Sequence, residues 1–302
     1  MKTATNPAVS VVIPCYNQAR FLGESIESAL RQTCRPVDVI VVDDGSTDET
    51  ASVAHSYSGV MYVRQSNGGA PSARNHGLRL SQGELVLFLD ADDRLLPDAL
   101  ARGVAALACH PDWAFVTGHV RLIAADGTPE AIPPQGHAAG DQFLALLRSN
   151  YIWTPGVVLY RRSVLESCGA FDPAARASAD YELNIRIARQ HAIGCHHSAI
   201  LDYRRHGENM SADMGEMLRS AVSVRLRQRR FVVGRPEAQR AWKEGIEIVR
   251  ADFGERLIDQ VKRDLREGRV ARAARGIGCL SRYYPGGLLR TAVASVRSPA
   301  SA

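Results

Sequence analysis

Three carboxylates within four residues follow an apolar run in the first third of the chain. Asp90, Asp92 and Asp93 come directly after Leu85 to Leu89, which is predicted to be a buried strand. Carboxylates this close repel one another, and a bound divalent cation removes that repulsion. Mg²⁺ and Mn²⁺ prefer oxygen ligands. They are often bound by only one or two protein carboxylates together with the phosphates of a ligand. The pattern therefore predicts a metal site, with a solvated acidic loop as the alternative.

Two further polar segments follow apolar runs of the same kind. Pro14 to Asn17 comes after Val9 to Ile13, and Asp43-Asp44 comes after Val37 to Val42. In open α/β sheets, ligands bind beyond the carboxyl ends of the strands. The polar segments are therefore expected to meet at one edge of a sheet and to form a binding site there.

The elements that must position these segments follow from hydrophobic spacing. A fourth apolar run covers Val60 to Val63, and helical spacing is found from Phe21 to Thr33 and from Ala73 to Leu80. Ser46, with Glu49 three residues later, forms a capping-box pattern that predicts the start of another helix. Alternating strands and helices predict an α/β fold with a parallel sheet covered on both faces.

Composition excludes several classes of protein. The 302 residues are 45% hydrophobic and 23% charged, as in ordinary globular proteins and unlike collagen-like or disordered chains. The six cysteines form no Cys-x-x-Cys pair, which argues against a zinc site or a disulfide framework. Neither a secretory signal nor an apolar run of about 20 residues is found, so a cytoplasmic location is expected.

Charge divides the chain into two parts. Residues 1–214 carry 18 basic and 23 acidic side chains, whereas residues 215–302 carry 19 basic and 9 acidic ones. Helical spacing over 216–231 and 239–275 predicts that this basic part is helical. Its arginines could face an anionic membrane surface on the inner side of the cell membrane, or could simply form a solvated helical face. We expect no nucleic-acid partner.

Four motifs in a fixed order resemble the family 2 glycosyltransferases. They are Val11 to Asn17, Val41 to Asp48, Gly69 to Gly77, and Leu89 to Asp93. The resemblance runs from about Val9 to Ser211. It implies the GT-A type of α/β fold, with a mainly parallel, Rossmann-like nucleotide-binding sheet and a smaller mixed sheet on the acceptor side. It also implies transfer of a sugar, with inversion, from a nucleotide-diphosphate sugar, with UDP as the expected nucleotide, to a glycan or lipid-linked acceptor.

The resemblance assigns roles on the donor side. Pro14 and Tyr16 would wall the nucleobase, Asp44 would hold the base edge, and Arg74 would lie near the base or the diphosphate. The full set of expected nucleotide-sugar-binding residues is Pro14, Tyr16, Asn17, Asp44, Arg74, Asp90, Ala91 and Asp92. The alternatives are a tyrosine in the core, an aspartate that caps the following helix, and an arginine in a surface ion pair.

The second half of the chain is expected to serve the acceptor. Residues 113–122 alternate apolar and polar residues and turn at Asp126-Gly127, as an antiparallel edge strand or a hairpin would. A strand is predicted from Gly156 to Tyr160. Trp153 and Thr154 precede it and would contact the acceptor, with core packing as the alternative for Trp153.

A catalytic carboxylate and a third metal ligand are also implied by the resemblance. Asp180, at the start of a helix predicted to run from about Ser178 to Gln190, would be the general base that deprotonates the acceptor hydroxyl. The alternative for Asp180 is the N-cap of that helix. The family commonly has Glu before this Asp, and here Ala179 takes that place. His206 would join Asp92 and Asp90 as a ligand of Mn²⁺ or Mg²⁺, with a surface histidine as the alternative.

We therefore predict two domains. Residues 1–214 would form the catalytic domain, with a nucleotide-sugar half at 9–93 and an acceptor half at 94–214, and residues 215–302 a basic helical extension. A nucleotide-sugar-binding or membrane-scaffold protein without catalysis stays open as an alternative, because Ala179 departs from the family pattern. An aspartate-based phosphatase is a weaker alternative, because this chain lacks the Thr or Val that such enzymes have after their aspartate pair. A dinucleotide oxidoreductase is excluded, because the chain lacks the glycine motif after its first strand.

Overall fold

Strands and helices alternate along the first two thirds of the chain, and helices alone occupy the rest. The computed structural model describes residues 7–130, 132–137, 140–207 and 213–297. The elements are β1 (Val9–Cys15), α1 (Ala19–Leu30), β2 (Asp38–Asp43), α2 (Thr50–His55), β3 (Val60–Arg64), α3 (Ala70–Leu80), β4 (Leu85–Phe88), β5 (Arg94–Leu95), α4 (Ala99–Cys109), β6 (Trp113–Ala124), α5 (Gln142–Arg148), β7 (Val158–Arg161), α6 (Arg162–Cys168), α7 (Ala179–Ala188), β8 (Ala192–Arg205), α8 (Met214–Arg227), α9 (Arg229–Val232), α10 (Pro236–Arg266), α11 (Val270–Tyr283) and α12 (Pro285–Arg297).

The nucleotide-sugar half contains the predicted parallel sheet. Strands β3, β2, β1 and β4 are neighbours in that order and run parallel, with Val11 opposite both Val39 and Leu87. Residues of β1, β2 and β4 are almost completely buried, as expected for aliphatic strands covered on both faces. Parallel alignment places the carboxyl ends of these strands at one edge of the sheet.

The acceptor-side strands continue the same sheet. β4 pairs with β7 in antiparallel fashion, and the order over the described residues is β3-β2-β1-β4-β7-β6-β8-β5. The α/β class is confirmed, and the mixed acceptor-side strands are present. They are continuous with the parallel strands, because Leu85 to Leu87 pair with Leu159 to Arg161. β6 lies between β7 and β8 and is not an edge strand. The hairpin-like turn is confirmed, since Ile123 bridges Pro129 across Asp126-Gly127.

The predicted capping box is not formed. Helix α2 begins at Thr50, four residues after Ser46, whose hydroxyl accepts a hydrogen bond from the backbone N–H of Asn17 instead. The carboxylate of Asp48 accepts hydrogen bonds from the backbone N–H and the hydroxyl of Thr50. Contacts between two strand-end loops therefore override the local helix signal.

The chain packs into two compact units. One contains residues 1–143 and 151–206, and the other contains residues 144–150 and 207–302. These bounds differ from the predicted boundary after residue 214, which stays a prediction. The second unit has its own core, built on Leu218, Val222, Leu257, Val261 and Leu280.

The helical pattern over 239–275 is interrupted in the structure. Gly268 has φ +71°, a left-handed conformation that favours glycine, and it separates α10 from α11. Among the helices of the described part of the chain, none combines the length and the apolar character needed to cross a bilayer.

Candidate functional site

The loops after β1 and β2 are tied to each other by hydrogen bonds. Asn17 has φ +52°, and its side-chain oxygen accepts a hydrogen bond from the backbone N–H of Thr47 at 2.8 Å. Pro14 is buried beneath this turn, whereas Tyr16 is 49% exposed. The core alternative for Tyr16 is therefore wrong, and its ring is available to stack on a flat ligand.

Asp44 anchors the loop that leads into α3. Its carboxylate accepts hydrogen bonds from the backbone N–H groups of Gly68 and Gly69, at 2.9 and 2.7 Å, and from the amide of Gln65 at 2.7 Å. Gly69 has φ +81°, which turns the chain into the helix. Asp44 thus holds two strand-end loops together. The carboxylate that accepts a hydrogen bond from the first residue of α2, Thr50, belongs to Asp48 and not to Asp44.

Arg74, Asp90 and Thr154 form a hydrogen-bonded polar group just after β4, in which Arg74 and Thr154 are buried and Asp90 is half-buried. An Arg74 N–H group lies 2.6 Å from Oδ1 of Asp90, and the Thr154 hydroxyl lies 3.1 Å from Oδ2. The Arg74 side chain is only 10% exposed, so the surface ion-pair alternative is wrong. Its Nε is buried and has no hydrogen-bond partner among the described residues. The arginine therefore keeps a donor for a further acceptor.

Asp92 and His206 lie 114 residues apart in the sequence and come together in the first unit. Nε2 of His206 lies 2.9 Å from Oδ2 of Asp92, and the imidazole packs on the Phe21 ring with centroids 4.9 Å apart. The His206 side chain is 5% exposed, so the surface alternative is wrong. Burial raises the pKa of Asp92, and the charge of Asp90 raises it further. An added positive charge would relieve both effects.

Asp93 and Arg204 form a second buried pair that the sequence analysis did not assign. Oδ1 of Asp93 accepts a hydrogen bond from the backbone N–H of Arg204 at 2.9 Å, and Oδ2 is buried without a hydrogen-bond partner in the described structure. Burial raises the pKa of Asp93 well above its ordinary value. The Arg204 guanidinium binds Glu24 and the carbonyl oxygen of Asp92. This pair holds the Asp92 loop in place. Its two members are 111 residues apart in the sequence, so no local spacing pattern links them.

Asp180 lies in the first turn of α7, directly after Ala179. The N-cap is Ser178, so the helix-cap alternative for Asp180 is wrong. Burial raises the pKa of the half-buried Asp180; the guanidinium of Arg74 opposes that rise, and the charge of Asp90 adds to it. These mutual effects bring Asp180 into the same electrostatic group as Arg74 and Asp90.

The other acidic residues near α7 are engaged elsewhere. Glu182 pairs with Arg186 at 2.7 Å, and Asp172 accepts a hydrogen bond from the backbone N–H of Ala174. Ala179 is 1% exposed, so the longer side chain of the glutamate that the family commonly has here would extend into buried surroundings. Asp180 is therefore the carboxylate of this region on which the charges of Arg74 and Asp90 act.

Trp153 extends the site outward beside Thr154. Its side chain is 42% exposed, and its ring contacts the Tyr203 ring edge-on, with centroids 6.3 Å apart. The core alternative for Trp153 is wrong. An exposed indole beside a buried polar group offers an apolar face to a sugar ring.

Comparisons with known proteins match this architecture. The family model described as glycosyl transferase family 2 matches residues 10–169. A PGL/p-HBAD biosynthesis glycosyltransferase of Mycobacterium bovis is 30% identical over 237 residues, which cover 75% of this chain and 89% of the relative. An uncharacterised glycosyltransferase of Rickettsia typhi is 29% identical over 206 residues, which cover 67% of this chain and 65% of the relative. The chain thus spans less than two thirds of that relative.

Solved structures share the fold at low sequence identity. Residues 1–349 of TarS from S. aureus, in a crystal structure with UDP, align with a TM-score of 0.60 at 20% identity, covering 82% of this chain and 72% of that one. A crystal structure of the same TarS residues with UDP-GlcNAc aligns with a TM-score of 0.58 at 18% identity, covering 91% of each chain. The predicted fold class is confirmed.

Proposed function

The chain belongs to glycosyl transferase family 2, and we propose that it transfers a sugar from a UDP-linked donor to a hydroxyl group of a glycan or lipid-linked acceptor. The observation that carries this proposal is the Arg74–Asp90 ion pair, whose two charges act on the pKa of Asp180, together with the nearby Asp92–His206 pair. Such a transfer needs positive charge for the leaving diphosphate, which Arg74 and a metal at Asp92 and His206 would supply. It also needs a base for the acceptor hydroxyl, which Asp180 would supply.

The donor would lie across the loops after β1 and β2. Tyr16 offers an exposed ring for a base, and Asn17, Pro14 and Asp44 shape the two loops around it. The TarS structures with UDP and UDP-GlcNAc share this fold, which supports a uridine nucleotide as donor. Ala91, which is also expected in the donor site, lies between Asp90 and Asp92 in the sequence and is buried.

Asp92 and His206 fit a divalent cation. A carboxylate oxygen and an imidazole nitrogen 2.9 Å apart are ligand types that Mn²⁺ accepts, and carboxylate also suits Mg²⁺. A cation held there supplies positive charge that offsets the charge of the departing nucleoside diphosphate. Asp90, also expected as a ligand, has both oxygens bonded to Arg74 and Thr154, so we propose that it acts mainly by orienting Arg74.

Asp180 would remove the proton of the acceptor hydroxyl as that oxygen attacks the anomeric carbon. Arg74, with a donor to spare, would bind the diphosphate oxygens on the leaving side. A single displacement of this kind inverts the anomeric centre and needs no carboxylate nucleophile. Trp153 would hold the acceptor ring by stacking.

The proposal is tested by nucleoside diphosphate release. We expect a UDP-sugar with Mn²⁺ to raise the melting temperature, and UDP release to increase when glycan or lipid-linked acceptors are added. A binding or scaffold protein would show the shift in melting temperature but no release with any acceptor. Release of inorganic phosphate instead would favour a phosphatase, and the absence of a shift with every UDP-sugar would contradict the donor class.

We further propose that the basic helices of the second unit attach the protein to anionic membranes. Exposed Leu226 and Val233 flank Arg229 and Arg230, and residues 215–302 carry a surplus of ten positive charges. Each basic residue near an anionic surface contributes about 1 kcal/mol. Peripheral attachment would bring a lipid-linked acceptor to the enzyme.

Vesicle sedimentation tests this attachment. The protein should sediment with anionic vesicles at low salt, and salt should release it. Replacing Arg229 and Arg230 by Gln should remove about 2 kcal/mol of membrane-binding free energy. This corresponds to a roughly 30-fold lower partition coefficient onto the vesicles. The exposed arginines Arg31 and Arg35 of the first unit provide the matched control, since their replacement by Gln should change nothing. Equal binding to uncharged vesicles would contradict an electrostatic attachment.

A further inference from the structure

A second group of metal-ligating side chains lies on β6 and β8, outside the site described above. Among the described residues, His119, Cys195 and His197 place one ligating atom each so that all three atoms lie within 4.8 Å of one another. Sγ of Cys195 lies 3.7 Å from Nε2 of His119. Cys195 is buried, His119 is half-buried and His197 is exposed, so the group is reachable from solvent on one side.

A bulge in β8 brings these residues together. Thr117 pairs with Cys195 and His119 pairs with Ala199, so four residues of β8 span the same length as two of β6. His197 lies in this bulge with φ +55°, an uncommon conformation for a residue other than glycine. Backbone strain of this kind concentrates at functional sites. The backbone N–H of His197 also donates a hydrogen bond to the Cys195 sulfur.

The segment before residue 138 supplies a fourth side chain. The Gln135 amide bonds to both the N–H and the carbonyl oxygen of Val120, at 2.6 and 2.8 Å, and so fastens the segment beside His119. The His137 ring then lies 5.9 Å from the His197 ring, measured between centroids. Nδ1 of His137 is buried and has no hydrogen-bond partner in the part of the chain that the structure describes. A buried nitrogen without a hydrogen-bond partner is a candidate to bind an ion or a water molecule.

We propose that Cys195, His119 and His197 bind a zinc ion, with His137 as the fourth ligand. In tetrahedral zinc sites, Zn–S bonds of about 2.3 Å and Zn–N bonds of about 2.0 Å separate the sulfur and nitrogen atoms by about 3.5 Å. The 3.7 Å between Cys195 and His119 is close to that separation before any ion is bound. Thiolate and imidazole ligands select zinc over magnesium and manganese, which prefer oxygen.

In such a site the ligands would be neutral imidazoles and a thiolate. The Cys195 thiol would lose its proton to solvent as the sulfur binds the ion. The bound ion would join β6, β8 and the segment ending at His137, and thereby stabilise the acceptor half.

The site is independent of the proposed catalytic metal. The Asp92–His206 pair offers an oxygen and one nitrogen, whereas this group offers a sulfur and up to three nitrogens, and the two groups share no residue. Zinc content and catalytic metal dependence can therefore be measured separately, and failure of one proposal leaves the other standing.

Metal analysis of the full-length protein tests the proposal. After incubation with Zn²⁺ and extensive dialysis, one zinc per chain should remain, and Co²⁺ in its place should give a sulfur-to-cobalt charge-transfer absorption band. His197→Ala removes an exposed ligand with little risk to folding, and Cys195→Ser removes the sulfur. Because loss of an outer-shell partner alone weakens metal affinity by roughly 10- to 100-fold, each variant should lose at least that much.

Two matched variants act as controls. Cys109→Ser removes an exposed cysteine elsewhere, and His206→Ala removes a histidine of the other metal pair, so both should keep the zinc and the cobalt band. A protein that retains no zinc after dialysis, or a His197→Ala variant that retains it as tightly as the wild type, would overturn the proposal. A cobalt spectrum without a sulfur band would also do so, because it would exclude Cys195 from the ligands.

Discussion

Replacement of Asp180 by Asn should lower sugar transfer by roughly 10²- to 10⁴-fold, the usual contribution of a positioned general base. Asn keeps the size of the side chain and its place in the first turn of α7 but cannot take the acceptor proton. Binding of UDP-sugar should stay near the wild-type level, because Asp180 lies in the region assigned to the acceptor. Transfer rate and donor affinity, measured on the same preparation, separate the two effects.

The pH profile gives the same prediction a second measurement. A base acts only when ionised, and burial together with the charge of Asp90 raises the pKa of Asp180 while Arg74 opposes the rise. The transfer rate should therefore fall as the pH decreases through a value above the ordinary aspartate pKa of about 3.9. The residual activity of Asp180→Asn should lack this acid limb.

Two neighbouring acids provide the controls. Glu182→Gln breaks the ion pair with Arg186, and Asp172→Asn weakens a turn, so either should change stability more than the chemical step. If Asp180→Asn transferred sugar at the wild-type rate while one of these variants did not, the assignment of the base would be wrong. Donor binding that persists in Asp180→Asn without any transfer would agree with the proposed mechanism.

Replacement of Asp92 by Asn should abolish metal-dependent donor binding. Asp92 supplies the carboxylate oxygen that lies 2.9 Å from Nε2 of His206, and its loss leaves one strong ligand. Metal affinity should fall by at least roughly 10- to 100-fold, and transfer with it. His206→Ala should weaken the metal titration in the same direction. The metal affinity of both variants is measured by adding Mn²⁺ to the enzyme with its UDP-sugar and recording the transfer rate at each concentration.

The fold should tolerate the Asp92 substitution. Burial and the charge of Asp90 already disfavour the ionised form of Asp92, so a neutral amide removes an unfavourable buried charge. We expect the melting temperature without metal to be unchanged or slightly higher. Asp112→Asn, at an exposed position, is the control and should alter neither metal affinity nor transfer. Undiminished turnover of the wild type in excess EDTA would contradict the metal role altogether.

The sequence by itself determined the α/β class and the edge of the sheet at which the site lies. Aliphatic runs such as Val9 to Ile13 and Leu85 to Leu89 specify buried strands locally, and polar residues directly after them must lie at the strand ends. Asp92 could therefore be singled out without coordinates, whereas Asp180 was chosen through the resemblance to the family 2 glycosyltransferases. The capping box at Ser46 failed because its hydroxyl bonds to Asn17 of a different loop, which no local pattern reveals.

Only the tertiary structure decided which side chains meet. The pairing of Asp90 with Arg74 and Thr154, and of Asp93 with Arg204, depends on the lateral order of strands and on distant loops. The histidine and cysteine group shows the same limit most clearly, because spacing along the chain argued against a zinc site. His119 and Cys195 are 76 residues apart, and a bulge in β8 sets their distance. Register and bulges follow from the balance of packing and hydrogen bonds across the whole sheet, which local spacing does not encode.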